Sequence, residues 1–255
     1  MAGKPASRAK AVGIATPCRS CPLQALGAFR KFSASELAFI DTMKSGEIRL
    51  APGQHVLTEG EANPYLYTVL SGWMFKYKML EDGRRQIINY ALPGDLLGLQ
   101  GAMLDKMQHS IEALTDVTLC VLDKERLWTL YRDHHSLAFD VTWIAAAEKS
   151  ILAEYLVSAG QRTASERIAF LLLVLFRRAR DLGMVDGNTL RLPITQEHFG
   201  DTIGFSLVHT NKRLSRLRRS GIFEWTGETF TLVDEAALAD LAGRPPHEPR
   251  PRPFL

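Results

Sequence analysis

The order of hydrophobic and polar positions divides the chain into a short helix, a strand-rich stretch and a second helical stretch. Residues 31–45 carry apolar side chains at helical spacing, and Ser33 or Ser35 is available as the N-cap. From Gly46 to about Leu122, short alternating runs are separated by turns that contain glycine, at positions 53, 60, 72, 83 and 94. Strands that recur about every ten residues between such turns predict an all-β barrel or sandwich.

Helical spacing returns after the strands in two long segments. Residues 136–158 predict a long helix with an apolar stripe, formed by Leu137, Val141, Ile144, Ile151 and Tyr155. The stripe fits a helix that packs against its own domain or one half of a two-helix dimer interface, and the spacing does not choose between them. A second helix within residues 161–183 is expected to begin at Thr163 or Ser165 and to end at Gly183.

The region around residues 195–221 contains two short helices joined by a tight turn. A helix over 196–203 is expected to begin after Thr195, Gly204 permits a sharp turn, and Ser206 is expected to cap a helix over about 207–220. This order predicts a helix-turn-helix. Its expected apolar spine consists of Phe199, Ile203, Leu207, Leu214 and Leu217. The hairpin sequence FEWTGETFTLV that follows predicts a wing.

The charge of the second of these helices indicates its partner. Between Phe205 and Gly221 it holds five basic residues and no acidic one. Lys212 and Arg216 repel each other one helical turn apart unless an anion lies between them, and duplex DNA supplies such anions. The alternative is a solvated basic helix, but cap, turn, spine, charge and wing together favour DNA. The residues predicted to contact DNA are Thr195, Gln196, Ser206, Val208, His209, Thr210, Asn211, Lys212, Arg213 and Arg216.

Composition limits the protein class. The 255 residues are 46% hydrophobic and 23% charged, as in a soluble globular protein, and the net charge of +3 is mild. The longest apolar run, residues 168–176, is too short to span a bilayer, and the N-terminus lacks the apolar core of a secretory signal. Three cysteines are too few for a disulfide framework. We therefore predict a cytoplasmic protein without a membrane partner. Because no catalytic motif is evident, we do not expect an enzyme.

This order of segments resembles the CRP/FNR family of bacterial transcription regulators. The resemblance covers about Phe29 to Gly243 and is specific in SGW (71–73), DGRRQI (82–87), PGDLLG (93–98) and the helix-turn-helix. It implies an α+β chain in five parts: a flexible N-terminal segment (1–28), a β-roll sensor domain of the jelly-roll, cyclic-nucleotide-binding-like type (29–135), a dimerisation helix (136–159), a winged helix-turn-helix (160–243) and a disordered tail (244–255). It also implies a homodimer that binds palindromic promoter sites in double-stranded DNA and contacts RNA polymerase.

The resemblance is incomplete at two sites: the phosphate cassette of the cyclic-nucleotide binders and the residues that read DNA in the FNR branch. Cyclic-nucleotide binders of the family carry an Arg-Ser pair and a Glu in the phosphate cassette. Here His109-Ser110 stands in place of Arg-Ser, and no Glu follows Gly98, so we argue against a cyclic nucleotide ligand. The FNR branch reads DNA with Glu, Ser and Arg, where this chain has Val208, Asn211 and Lys212. Val208 cannot accept a hydrogen bond from cytosine, so a different half-site is expected.

The three cysteines resemble the cluster-binding cysteines of the oxygen-sensing FNR branch. Cys18 and Cys21 match the N-terminal pair and Cys120 matches the distant cysteine, whereas Gly27 stands where that branch has another cysteine. The resemblance implies an iron–sulfur or other metal site that senses oxygen or redox state and whose fourth ligand is unknown. Two alternatives stay open. One is a thiol switch in which Arg19 favours a thiolate. The other is a constitutive regulator in which Cys120 is only a small buried residue.

Overall fold

The chain, described by a computed structural model over residues 11–12, 16–243 and 251–255, divides into two units. Among those residues, the first unit contains 11–12, 16–78, 89–148 and 251–255. The second unit contains 79–88 and 149–243. The predicted α+β class, with an N-terminal β-roll, a long helix and a C-terminal helix-turn-helix, is confirmed.

Two antiparallel sheets form the β-roll. Their strands are β1 (Ala11–Val12), β2 (Lys44–Leu50), β3 (His55–Leu57), β4 (Tyr65–Ser71), β5 (Met74–Met79), β6 (Arg85–Ala91), β7 (Leu96–Leu97), β8 (Ser110–Ala113) and β9 (Val117–Asp123). One sheet has the order β1-β2-β9-β4-β7 and the other has the order β3-β8-β5-β6. Buried side chains from both sheets form one apolar core, which includes Leu50, Val69, Met74, Ile111 and Leu119.

Strand β9 is buried on both of its faces. Val117, Leu119 and Val121 belong to the core between the sheets. Because successive side chains of a strand point to opposite faces, Cys120 faces away from that core. Cys120 is nevertheless only 7% exposed, so the outer face of β9 is also covered.

Four α-helices accompany the β-roll strands or follow them: α1 (Ala34–Met43), α2 (Leu99–Met103), α3 (Leu127–Asp133) and α4 (His135–Gln161). Helix α1 begins with a capping box in which the Ser33 hydroxyl accepts from the Glu36 backbone N–H and the Glu36 carboxylate accepts from the Ser33 backbone N–H. The predicted cap at Ser33 is therefore confirmed. At the start of α4 the predicted apolar stripe is buried, since Leu137 and Val141 are both fully buried. Those positions thus pack against the first unit.

The second unit contains α5 (Ala164–Asp181), β10 (Val185–Asp186), β11 (Thr189–Arg191), α6 (Gln196–Ile203), α7 (Leu207–Arg219), β12 (Phe223–Thr226), β13 (Thr229–Leu232) and α8 (Glu235–Ala242). Helix α5 begins at a second capping box, formed by Thr163 and Glu166, so Thr163 rather than Ser165 is the cap. The sheet of the second unit has the order β10-β11-β13-β12. Its β12–β13 hairpin is the predicted wing.

Both ends of the chain differ from the sequence prediction where they are described. The tail was expected to be disordered over 244–255, but Phe254 and Leu255 are only 5% and 3% exposed. The N-terminal segment 1–28 was expected to be flexible, but Cys18–Ser20 and Pro22–Ala25 form 3₁₀ turns. In both cases a few apolar side chains bury themselves in an otherwise polar or proline-rich stretch. Residues 1–10, 13–15 and 244–250 lie outside the described residues.

Candidate DNA interface and cysteine site

The helix-turn-helix is held at its start and its turn by local hydrogen bonds. The Thr195 hydroxyl accepts from the His198 backbone N–H at 3.2 Å, and His198 Nδ1 accepts from the Thr195 backbone N–H at 3.3 Å. Gly204 ends α6 in the left-handed conformation with φ of +75°. The Ser206 hydroxyl then accepts from the His209 backbone N–H at 3.4 Å. The predicted caps and turn are confirmed, and together they set the direction in which α7 leaves α6.

Helices α6 and α7 approach closely at Gly200. A Cβ atom at this position would lie 2.8 Å from the Phe205 carbonyl oxygen and 3.4 Å from the Thr210 hydroxyl. Most of the predicted spine is buried, namely Phe199, Ile203, Leu214 and Leu217. Leu207 is 48% exposed and was wrongly placed in the spine. It lies in the first turn of α7.

Nine of the ten predicted DNA contacts are at least partly accessible. Thr195, Gln196, Ser206, Val208, Lys212 and Arg216 are exposed, and His209, Asn211 and Arg213 are half-buried. Thr210 is fully buried, and its hydroxyl faces the α6–α7 contact beside Gly200. The prediction that Thr210 contacts DNA is therefore wrong for this arrangement. Thr210 lies four and seven residues before the buried Leu214 and Leu217, so it shares their inward face of α7.

The three cysteines line one cavity of about 30 Å³ in the first unit, part of which is open to solvent. Cys18 and Cys21 come from the N-terminal 3₁₀ turns and Cys120 comes from β9. Polar side chains of the wall include Lys44, Glu47 and Thr68, and the apolar wall includes Phe254 and Leu255. The structure thus places around one space all three residues that the sequence suggested as metal ligands. Sequence reasoning missed the polar residues and the C-terminal residues of the wall.

Backbone pairing positions the polar residues around Cys120. On one side of Cys120 the register pairs it with Glu47 of β2, and on the other side it pairs it with Thr68 of β4. Partners in register point to the same face of a sheet, so all three side chains face the cavity. The Thr68 hydroxyl is buried and has no hydrogen-bond partner among the described residues.

The N-terminal cysteines are held by hydrogen bonds to the turns and to α1. The Cys18 backbone N–H donates to the Asp41 carboxylate at 2.8 Å, and the Gln24 amide donates to the Cys18 carbonyl at 2.9 Å. Lys44 Nζ donates to Glu47 Oε1 at 2.8 Å. These bonds fix both the turn that carries the thiols and the ion pair in the cavity wall.

Burial controls the protonation of the thiols. It raises the pKa of Cys18 and of Cys21, and it raises the pKa of Cys120 to about 12. The expectation that Arg19 favours a thiolate is therefore not met, because the cost of burying a charge outweighs it. Within the described part of the chain, no three His, Cys, Asp or Glu side chains are arranged to hold a metal ion.

Known proteins match this chain over both units. The family model for the cyclic nucleotide-binding domain matches residues 47–134, and the model for the Crp-like helix-turn-helix domain matches residues 166–241. The transcriptional activator protein FnrL of Cereibacter sphaeroides is 27% identical over 89% of this chain and 92% of its own. The nitrogen fixation regulation protein FixK of Bradyrhizobium diazoefficiens is 28% identical over 88% and 93%.

A solved structure agrees with these matches. FixK2 from Bradyrhizobium japonicum superposes with a TM-score of 0.70 at 27% identity, covering 76% of this chain and 96% of its own. The chain belongs to the CRP/FNR family. It is a DNA-binding transcription regulator of that family and not an enzyme. Among the residues described, no helix combines the length and the apolarity needed to cross a membrane.

One position in the β-roll bears on the prediction that this CRP/FNR protein does not bind a cyclic nucleotide. His109, which replaces the phosphate-binding arginine, is 5% exposed, and burial lowers its pKa to about 4. It is neutral at physiological pH and so lacks the charge that a phosphate partner requires. Ser110 is also engaged, because its hydroxyl accepts from the Glu59 backbone N–H at 3.0 Å.

Proposed function

We propose that this CRP/FNR protein regulates transcription in the cytoplasm in response to oxygen or redox state, through an iron–sulfur cluster held by Cys18, Cys21 and Cys120. The observation that carries the proposal is that these three thiols, from distant parts of the sequence, line a single cavity. Thiolates are the usual ligands of iron–sulfur clusters. When bound, such a group supplies one-electron and oxygen chemistry that the side chains alone lack.

The arrangement of the thiols suits a cluster better than a single ion. A single tetrahedral ion holds thiolates at about 2.3 Å, so its ligands must lie within about 4 Å of one another. The described residues contain no such group of three donors. A cluster spreads its ligands over several irons, so its thiolates need not all meet at one point.

The residues beside the thiols have roles in this proposal. Ligation requires the cysteines to lose their protons, and burial opposes this until a cation neutralises the thiolates. Lys44 lies in the same wall and offsets part of the negative charge. Glu47 lies opposite Cys120 in the strand register and is the carboxylate we assign as the fourth ligand, in place of the cysteine that Gly27 replaces.

The cluster assignment is tested by anaerobic purification, visible spectroscopy and measurement of iron and acid-labile sulfide per chain. We expect a coloured protein, and we expect each of Cys18→Ser, Cys21→Ser and Cys120→Ser to lose the visible spectrum. Ser20→Ala is the control, because Ser20 is exposed in the same turn. A colourless, iron-free protein that also resists reconstitution would contradict the proposal. The thiol switch and the constitutive regulator would then remain as alternatives. The raised pKa values of the thiols do not favour the thiol switch.

The Glu47 assignment is tested separately from the cluster itself. Glu47→Gln keeps the shape of the side chain but removes the anionic donor, so we expect a lower iron content and a changed visible spectrum. Glu47→Cys supplies a thiolate and is expected to retain the cluster. Glu59→Gln, at a carboxylate outside this cavity wall, is the matched control. If Glu47→Gln retains all of its iron and an unchanged spectrum, Glu47 is not a ligand, and the three-cysteine assignment stands or falls on the earlier experiment.

We further propose that the protein binds palindromic promoter DNA as a homodimer and acts on RNA polymerase there. The support for the homodimer is an exposed apolar face on α4, where Phe139 is 68% exposed, Trp143 is 38% exposed and Val157 is 49% exposed. Their spacing of four and eighteen residues from Phe139 puts them on one side of a helix. A dimer formed there would present two α7 helices to half-sites about one DNA turn apart. Selection from random DNA sequences tests this, and we expect a palindrome that differs from the FNR-type site.

A further inference from the structure

Residues Pro251–Leu255 add a short extended segment to the first unit. The Arg252 backbone N–H donates to the Ala28 carbonyl at 2.9 Å, and the Arg30 backbone N–H donates to the Arg252 carbonyl at 3.0 Å. Phe29 and Arg252 form an isolated parallel β-bridge. Pairing of this kind is how extended peptides dock on exposed backbone, with main-chain bonds for affinity and side chains for specificity.

The Arg252 side chain fits the turn that precedes β7. Its guanidinium donates to Asp95 Oδ1 at 3.0 Å and to the Pro93 carbonyl at 3.2 Å. The same guanidinium lies 4.9 Å from the centre of the Phe29 ring. An ion pair, a carbonyl and an aromatic face therefore recognise one side chain, which an accidental surface contact seldom provides.

The aromatic side chain of the segment, Phe254, packs against two aromatic rings of the first unit. The Phe254 ring lies between Phe29 and Phe32, with ring centroids 4.9 Å apart in each pair. Phe29 in turn rests on Gly94, where a Cβ atom would lie only 2.1 Å from a ring carbon. Gly94 therefore leaves room for the Phe29 ring. Phe254 packs against that ring and is only 5% exposed.

The far end of the segment reaches the cysteine cavity. Phe254 and Leu255 both belong to the wall of that cavity, together with Cys18, Cys21 and Cys120. Leu255 is only 3% exposed. Removing these two side chains would take away apolar wall on the side of the cavity where the segment lies, and would give solutes a route to the thiols.

We propose that Ala28–Phe32 and Pro93–Asp95 form a docking site for Pro251–Leu255, and that occupation of this site limits access to the three cysteines. The docked segment covers one side of the cavity and slows the entry of solutes, and its release exposes the thiols further. This holds whether the thiols bind a cluster or remain free, so the proposal is independent of the function proposed above.

The docking site also shares a residue with α4. The Arg30 backbone pairs with Arg252, while the Arg30 guanidinium binds Asp140 of α4 at 2.8 Å and Glu36 of α1 at 2.8 Å. Asp140 is only 4% exposed. Release of the segment therefore removes a backbone partner from the residue that anchors the start of α4. Arg30 therefore contacts both the segment and the start of α4.

Thiol reactivity of the reduced, metal-free full-length protein under anaerobic conditions tests the proposal. The rate of reaction with 5,5′-dithiobis(2-nitrobenzoic acid) is compared for the wild type, a chain ending at Arg250, and Phe254→Ala. We expect the truncated chain to react about tenfold faster or more, because the reagent can then reach the thiols without local opening of the segment Pro251–Leu255. Phe254→Ala is expected to react several-fold faster, and Phe254→Leu is expected to restore most of the protection.

The matched control is Arg132→Ala, which removes an arginine from an exposed ion pair with Asp133 in the same unit. Its thiols are expected to react at the wild-type rate, and circular dichroism checks that each variant is folded. A truncated chain that is folded and reacts at the wild-type rate would overturn the proposal. If truncation prevents folding, the two substitutions at Phe254 test the proposal instead. Equal reaction rates for Phe254→Ala, Phe254→Leu and the wild type would overturn the proposal.

Discussion

The close approach at Gly200 makes a single added methyl group informative. Alanine normally stabilises a helix interior by about 0.5–1 kcal/mol relative to glycine. At Gly200 the new Cβ would lie 2.8 Å from the Phe205 carbonyl oxygen, which is backbone and cannot rotate away. Gly160, near the end of α4, offers the matched control, because a Cβ there meets nothing within 4 Å.

The two substitutions should therefore have opposite signs. Overpacking costs about 1–3 kcal/mol, so Gly200→Ala should destabilise the second unit by a net of about 1–2 kcal/mol. For a unit of this size that lowers Tm by several degrees, about 4–8 °C per kcal/mol. Gly160→Ala should be neutral or stabilising by up to about 1 kcal/mol. Since the turn at Phe205 that leads into α7 must shift to relieve the contact, Gly200→Ala should also weaken operator binding, while Gly160→Ala should not.

Urea unfolding followed by circular dichroism, together with fluorescence anisotropy on labelled operator DNA, measures both effects. The midpoint of unfolding should fall for Gly200→Ala without a change in slope, which identifies a change in stability. A Gly200→Ala protein that is as stable as Gly160→Ala and binds DNA normally would refute the reasoning. It would mean that α6 and α7 are not in contact at this position in solution.

Three other expectations follow from the site. Lys212→Ala should weaken operator binding by about 1–3 kcal/mol in anisotropy titrations, whereas Thr210→Val should leave it unchanged because Thr210 is buried; equal losses would contradict this. Cyclic AMP at 1 mM should leave Tm unchanged in a thermal melt, since the site has His109 in place of arginine; a ligand with a Kd of about 10 μM would stabilise by about 2.7 kcal/mol. Phe139→Ser combined with Trp143→Ser should shift the protein from dimer to monomer in sedimentation velocity, with the first unit still folded, and a persistent dimer would locate the interface elsewhere.

The parts of the fold with strong local signals could be predicted from the sequence. Thr195, Gly204 and Ser206 specify a helix start, a left-handed turn and a second helix start within a dozen residues, and each acts through its own backbone neighbours. The β-roll strands were likewise marked by alternation and glycine turns. Such features need no knowledge of what lies across the molecule.

The features that depend on distant partners could not be predicted in this way. Phe254 packs against Phe29 and Phe32, more than two hundred residues earlier, within a proline-rich stretch whose composition suggests disorder. Thr210, by contrast, lies four and seven residues before Leu214 and Leu217, so helical spacing already puts it on the buried face of α7, which the sequence analysis overlooked. The suggestion that Cys120 belongs with the N-terminal cysteines came from family resemblance, while Glu47 became visible only with the strand register.

The start of α6 differs chemically from the other two capping boxes. Helices α1 and α5 are closed by the carboxylates of Glu36 and Glu166, whereas α6 is closed by the imidazole of His198. Only an unprotonated Nδ1 can accept the Thr195 N–H, and burial lowers the pKa of His198, which keeps the ring in that form near neutrality. Acidification below that pKa converts the acceptor into a donor and removes the bond. The helix that leads into the DNA-reading element thus begins at a hydrogen bond that acid removes, and its first turn should fray as His198 becomes protonated.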